Sequence, residues 1–307
     1  MGDPQHLTHA PRTVAVAAVQ LACGWNVGEN VAAAERAVRD AARGGAQVIL
    51  LPELFETPYF CIEQDARHLR LAHSLEESPG VQRMRAVAHE LGVVLPVSFF
   101  ERAGAAYFNS VAVIDADGAV LGVYRKSHIP NGPGYQEKHY FSPGDTGMRV
   151  WHTRFARLGV GICWDQWFPE CARVMALLGA ELLLYPTAIG SEPPPAPPVD
   201  SREHWRRTQQ GHAAANLIPL IAANRYGLER SLLDPERLFV QFYGSSFIAD
   251  ETGAIVAQAP DVGDAVVSAS FDLSEIAARR AAWGVFRDRR PDLYRPLASF
   301  DGRQAAD

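Results

Sequence analysis

Apolar residues in this chain gather into short continuous runs, with longer stretches of helical spacing between them. The runs at 13–21 (TVAVAAVQL), 46–52 (AQVILLP), 92–100 (GVVLPVSFF), 157–162 (RLGVGI), 181–186 (ELLLYP) and 217–223 predict buried strands. Residues 27–43 are Ala-rich, carry Val31 and Val38, and stop before Gly44-Gly45, which predicts a helix with a glycine end. Further helices are expected over 80–91, 166–179, 202–216 and 273–282. Asp117-Gly118, between the runs 107–115 and 119–124, predicts a hairpin. Residues 239–249 and 254–259 flank a second turn at Glu251-Thr252-Gly253, and 264–271 reads as a last strand.

Strands alternate with helices, but hairpins interrupt the alternation. That combination predicts an α/β fold with a mixed sheet covered by helices. No internal repeat and no long linker divides the chain, so one domain is expected over 13–297, with flexible termini at 1–12 and 298–307. The stretch 192–198 (EPPPAPP) is expected to be an irregular loop, because proline offers no N–H to a sheet.

Composition narrows the function classes. The chain has 307 residues, 48% hydrophobic and 21% charged, which is ordinary for a globular protein. A net charge of −6 disfavours a nucleic-acid partner and accommodates a cationic substrate. Four cysteines form no CxxC pair, which suits a reducing, cytoplasmic setting. The N-terminus lacks the apolar region of a signal peptide. No apolar run approaches the roughly 18 residues of a membrane helix, so no membrane partner is expected.

Three segments share one design, in which a buried strand ends and a reactive side chain follows at once. VILLPE ends at Glu53, VLGVYRK at Lys126, and LGVGICWD places Cys163 at a strand-to-helix turn. Strand ends are where α/β folds build sites. Singly, the acid reads as a cap, the lysine as a solvated cation and the cysteine as core filler. Together they supply a nucleophile, a proton carrier and a fixed cation. Lys126 is expected to lower the thiol pKa by charge attraction. The backbone N–H of Trp164 is a candidate second donor to an oxyanion.

Other signals carry less. Gly159 and Gly161 suggest a dinucleotide loop, but Trp164 holds the third glycine position. No HExxH and no Cys/His spacing suits zinc, so no metal and no cofactor is assigned. Cys23, Cys61 and Cys171 read as packing. The arginines of 279–292 read as a solvated tail or a subunit contact.

LLPE, YRK and ICWD, in this order, resemble the three catalytic signatures of the nitrilase superfamily, and the resemblance runs from about residue 13 to 297. It implies an α-β-β-α sandwich that pairs into a four-layer dimer, with Glu53, Lys126 and Cys163 as the catalytic triad. It also implies an assisting role for Glu137 in YQEKHYF. The longer segments HIPNGPGYQEKHYFSPGDTG, GVGICWDQWFPECARVMALLGAELLLYPTAIGSEP and HWRRTQQGHAAANLIPLIAANRYG are similar to the branch acting on N-carbamoyl amines. The implied reaction splits N-carbamoylputrescine to putrescine, ammonia and carbon dioxide, a step of polyamine synthesis. A narrow apolar pocket should then end in a carboxylate, and the resemblance places Glu192 there. Tyr59 and Trp164 are expected to line the channel. Another carbon–nitrogen hydrolase, such as a β-ureidopropionase or an aliphatic amidase, and a catalytically silent scaffold stand as alternatives.

Overall fold

The computed structural model describes residues 12–191 and 200–303. The described chain forms two compact units: one of residues 13–271, and one joining Arg12 to residues 272–303.

The larger unit begins with strand β1 (Thr13–Gln20) and helix α1 (Val27–Arg43). The Asn26 side chain accepts the Glu29 N–H at the start of α1, and Gly44 closes its end. Strand β2 (Val48–Leu50) pairs parallel to β1. Helix α2 (Pro79–Leu91) opens on Ser78, whose side chain accepts the Val81 N–H, and closes at Gly92 in the left-handed conformation. Strands β3 (Leu95–Ala103), β4 (Ala106–Ile114) and β5 (Val120–Arg125) form an antiparallel meander, and the expected turn at Asp117-Gly118 joins the last two. A bridge from Val48 to Val94 carries β2 onto the meander. Val31, Ala34 and Val38 of α1 and Val81, Met84 and Val87 of α2 bury the outer face of this sheet.

A second sheet follows. Its members include β6 (Val150–His152), β7 (Arg157–Val160), β8 (Leu182–Thr187) and β9 (Leu220–Asn224). Helix α3 (Pro169–Leu177) connects β7 to β8, and α4 (Arg202–Asn216) precedes β9. After β9 come β10 (Tyr226–Arg230) and β11 (Phe239–Tyr243), an antiparallel pair of their own. Strands β12 (Phe247–Ala249) and β13 (Ile255–Gln258) then complete the order β13-β12-β9-β8-β7-β6, and β14 (Ala265–Asp272) returns to β1. Within this sheet β7, β8 and β9 run mutually parallel, because they are joined through helices, as β1 and β2 are in the first. Strands β1 and β2 pack against β8 and β9, while α3 and α4 cover the far face of the second sheet. The layers are therefore α-β-β-α.

Two expectations change, and two strands went unread. The run 239–249 is not one strand: Gly244 and Ser245 take positive φ of 57° and 55°, and the chain leaves β11 to join the larger sheet as β12. The helix expected from 166 starts at Pro169, after a tight 3-10 turn over Cys163–Trp167. Strands β6 and β10 are short and partly polar, so their apolar pattern is too weak to read.

The smaller unit is built on α5 (Leu273–Trp283). Asp272 caps it by accepting the Ser274 and Glu275 N–H groups, and Gly284 ends it in the left-handed region.

Backbone approach is tightest at Gly144. Its N–H donates to the Lys126 carbonyl at 2.8 Å, and an added Cβ would stand 2.0 Å from the Arg125 carbonyl oxygen. Gly144→Ala must therefore displace the segment that carries Lys126. The substitution should destabilise by about 2 kcal/mol or more, seen as a drop of several degrees in Tm. An unchanged Tm would show that the loop relaxes freely.

Candidate active site

The three strand ends read from the sequence converge. Glu53 follows β2, Lys126 follows β5 and Cys163 follows β7, and none is more than 6% exposed. Lys126 Nζ lies 2.9 Å from Glu53 Oε1 and 2.8 and 2.7 Å from the two oxygens of Glu137. An ammonium thus sits fully buried between two buried carboxylates. Asn109, in the middle of β4, donates to Glu53 Oε1 at 2.6 Å and reaches Glu137 Oε2 at 3.5 Å. Glu53 Oε1 is therefore occupied twice, while Oε2 is buried with no hydrogen-bond partner among the described residues.

Cys163 occupies a strained turn, with φ 40° where glycine would be the easy choice. The turn is over-determined by its neighbours. Asp165, fully buried, accepts from the Ile162 N–H (2.9 Å), the Tyr124 hydroxyl (2.7 Å), and the N–H and ring Nδ1 of His128. One carboxylate thereby ties the cysteine turn to the segment that carries Lys126. Gln166 accepts from Trp205 and Gln209 of α4, which fixes the other side. Gly161 leaves room for the Tyr185 ring, which an added Cβ would meet at 2.7 Å. The glycines of GVGIC are packing devices, as the failed dinucleotide fingerprint implied.

Electrostatics set the resting protonation. Burial pushes the Cys163 thiol well above its ordinary pKa, and the Glu53 charge adds to this, while Lys126 acts in the opposite direction. The expected pull of Lys126 is present but outweighed. Burial disfavours the Lys126 ammonium, yet Glu137 and Glu53 beside it hold it charged. Burial raises the Glu137 carboxyl against the pull of Lys126. The thiol is accordingly held in its neutral form, so a nucleophilic role for Cys163 would require a group to take its proton. A free carboxylate oxygen on Glu53 suits that transfer.

A cavity of about 380 Å³ opens over the site. Cys163 and Glu137 form part of its lining, with Trp164, Trp167, Tyr135 and Ile189 as apolar walls and Asn131, Ser201 and His204 as polar members. Trp164 takes its expected place in the wall and is 40% exposed. Tyr59 does not line the cavity. It is 1% exposed, and its hydroxyl donates to Glu137 Oε1 at 2.6 Å. Glu192, expected at the far end of the pocket, and the proline stretch 192–198 lie outside the described residues. Asn109, Asp165 and Arg225 were not singled out from sequence. Asn109, with Ser110 beside it, interrupts the apolar β4 run, and Arg225 directly follows β9, so it obeys the same strand-end rule as the triad.

Among the described residues, Glu63, Asp65 and His68 form the one group with ligand atoms close enough to share a metal. Their side chains are committed to Ser231, Arg67 and one another.

A buried thiol, a paired ammonium and two carboxylates at the foot of a cavity in an α-β-β-α sandwich define a thiol hydrolase of carbon–nitrogen bonds. Residues 15–281 match the carbon-nitrogen hydrolase family, and the chain belongs to it, within the nitrilase superfamily. It is similar to N-carbamoylputrescine amidase of Arabidopsis thaliana, with 57% identity over 95% of this chain and 97% of the relative. It is also similar to citrullinase of Francisella tularensis, with 54% identity over 92% and 96%. The crystal structure of a carbon-nitrogen hydrolase from Helicobacter pylori G27 superposes with a TM-score of 0.85 at 36% identity, covering 94% of this chain and 99% of that one.

The raised thiol yields a signed prediction. Glu53→Gln removes a charge that opposes thiolate formation, while Lys126 remains. Cys163 should then ionise at lower pH than in the wild type, read as ultraviolet thiolate absorbance against a Cys163→Ser reference. Both variants should lose ~10³-fold or more in turnover. Thiol ionisation unmoved by Glu53→Gln would contradict the electrostatic assignment.

Proposed function

We propose that this chain hydrolyses N-carbamoylputrescine to putrescine, ammonia and carbon dioxide through a covalent thioester on Cys163. The chemistry rests on one observation, the Lys126 ammonium fixed between Glu53 and Glu137 where both it and Glu53 act on the thiol. The substrate rests on similarity to the plant amidase over nearly the whole chain.

Cys163 sulfur attacks the ureido carbon, and its proton passes to Glu53. The carbonyl oxygen gathers negative charge, which Lys126 and the Trp164 N–H stabilise. The terminal C–N bond then breaks, and Glu53 protonates the departing ammonia. Water, losing a proton to Glu53, opens the carbamoyl thioester and frees the thiol. The released carbamic acid loses carbon dioxide and leaves the amine. A urea is a weak electrophile, so the two oxyanion donors carry much of the rate; removing one such donor typically costs about 10²–10³ in kcat.

Glu192 is the carboxylate proposed for the distal ammonium. Gly190 and Ser201, on either side of the segment that contains it, both line the cavity. Glu137 is the one carboxylate among the described lining residues, and Lys126 and Tyr59 already engage it. A second reading, citrulline hydrolysis, is favoured by the 54% identity to citrullinase and by His204 and Ser201, polar groups able to face an α-carboxylate. We also propose that two chains pair. Val174, Leu177 and Leu178 on and just beyond α3 are 39–52% exposed and supply apolar surface for such pairing.

Ammonia release from N-carbamoylputrescine, citrulline and N-carbamoyl-β-alanine tests the substrate. The first should show the highest kcat/KM, and Glu192→Gln should weaken it mainly through KM. A preference for citrulline selects the second reading, and a preference for the purely anionic compound rejects both. Light scattering should give at least twice the chain mass, reduced towards the monomer by Leu177→Glu. A monomeric wild type would refute the pairing.

A further inference from the structure

The residue directly after Glu53 is the puzzle from which this inference starts. Leu54 takes φ 48°, a left-handed conformation that a leucine Cβ disfavours. The backbone turns sharply there, and that turn sets where the Glu53 carboxyl points. Something must hold the turn closed.

Arg225 does so. It is fully buried, and its Nη2 donates to the carbonyl oxygens of Glu53 (2.7 Å) and Leu54 (3.0 Å). Its Nη1 donates to the Thr57 carbonyl at 3.2 Å and to Glu229 Oε1 at 2.8 Å. Three carbonyls of the 53–57 turn are thus gathered on one planar fork. The fork itself is anchored: Arg225 accepts the Gly244 N–H through its own carbonyl, next to the strand end of β9.

Glu229 neutralises Arg225 and also accepts the Tyr59 N–H. Tyr59 in turn donates through its hydroxyl to Glu137 Oε1. One branch from the guanidinium therefore ends on the backbone of Glu53, and the other ends on the carboxylate of Glu137. These are the two acids that flank Lys126.

We propose that the buried Arg225–Glu229 pair is the positioning device for both carboxylates of the site. It holds Glu53 in its strained turn directly and Glu137 through Tyr59. This assignment rests on the proposed roles of Glu53 and Cys163 in the reaction. Lysine cannot replace the arginine, because an ammonium is a point donor and lacks the fixed fork that spans several carbonyls.

The test compares Arg225→Lys, Glu229→Gln and Tyr59→Phe in the full chain. It uses whichever ureido compound the wild type turns over fastest, with thermal unfolding measured alongside. Each variant should lower kcat per folded enzyme by about 10- to 100-fold, the scale of a small misplacement of a reacting group, and leave KM within about two-fold. A merely structural role would lower Tm and leave kcat per folded molecule intact, and that result overturns the proposal. If Arg225→Lys does not accumulate folded protein, Glu229→Gln and Tyr59→Phe decide, and wild-type kcat in both overturns it equally. Glu53→Gln serves as the separate control. If it retains full turnover, the catalytic reading itself fails; if it is inactive while the three variants are unimpaired, only the positioning role fails.

Discussion

The structure depends on one ion cluster: an ammonium, Lys126, enclosed by Glu53 and Glu137 with no solvent exposure at any of the three. Removing such charges from water costs several kcal/mol per ion unless each finds a partner. The fold meets that demand with further donors. Asn109 supports both acids from β4, and Tyr59 supports Glu137. The same burial that makes the cluster costly keeps its electrostatics strong, because little water screens it. Two carboxylates sharing one fixed cation leave an acidic excess, and this helps explain why the neighbouring thiol rests protonated.

Around the cluster, rigidity comes from crossing the two sheets. Lys126 belongs to the first sheet's last strand end, while Cys163 ends a strand of the second. Asp165 spans the two by taking donors from Ile162, Tyr124 and His128. His128 stacks on Phe168 at 3.7 Å between ring centroids, which stiffens the same junction. Glu56, in the loop after Glu53, accepts the Ser78 hydroxyl and the Gly80 N–H at the start of α2. Its carboxyl is raised by burial, with those two donors opposing the shift. Each strained turn, at Leu54 and at Cys163, is surrounded by buried donors and acceptors that leave it no alternative.

Local signals served best where one segment carries its own answer. The Ala-rich stretch and its Gly44-Gly45 stop made α1 readable nearly to the residue, while the Asn26 and Ser78 caps emerged only with the structure. The span 239–249 misled because apolar stretches stand on both sides of Gly244-Ser245-Ser246, close enough to read as one run. There the Asp261 carbonyl, distant in sequence, lies so close to Gly244 that a Cβ would meet it at 2.3 Å. Tyr59 misled for a related reason. Its type and position suit a channel wall, but its neighbours Glu137 and Glu229 arrive from 78 and 170 residues away.

By itself the sequence determined most of the strands, the helices and the three reactive side chains at strand ends, because periodicity, glycine stops and strand-end chemistry are properties of short segments. It also determined the family, since the three signatures stand in order along one chain. Tertiary structure alone decided how the charges pair, that the thiol rests neutral, and that Arg225 reaches across to the Glu53 turn. Those outcomes depend on desolvation and on contacts between residues up to 172 positions apart. No local pattern encodes them, because burial is a property of the packed whole.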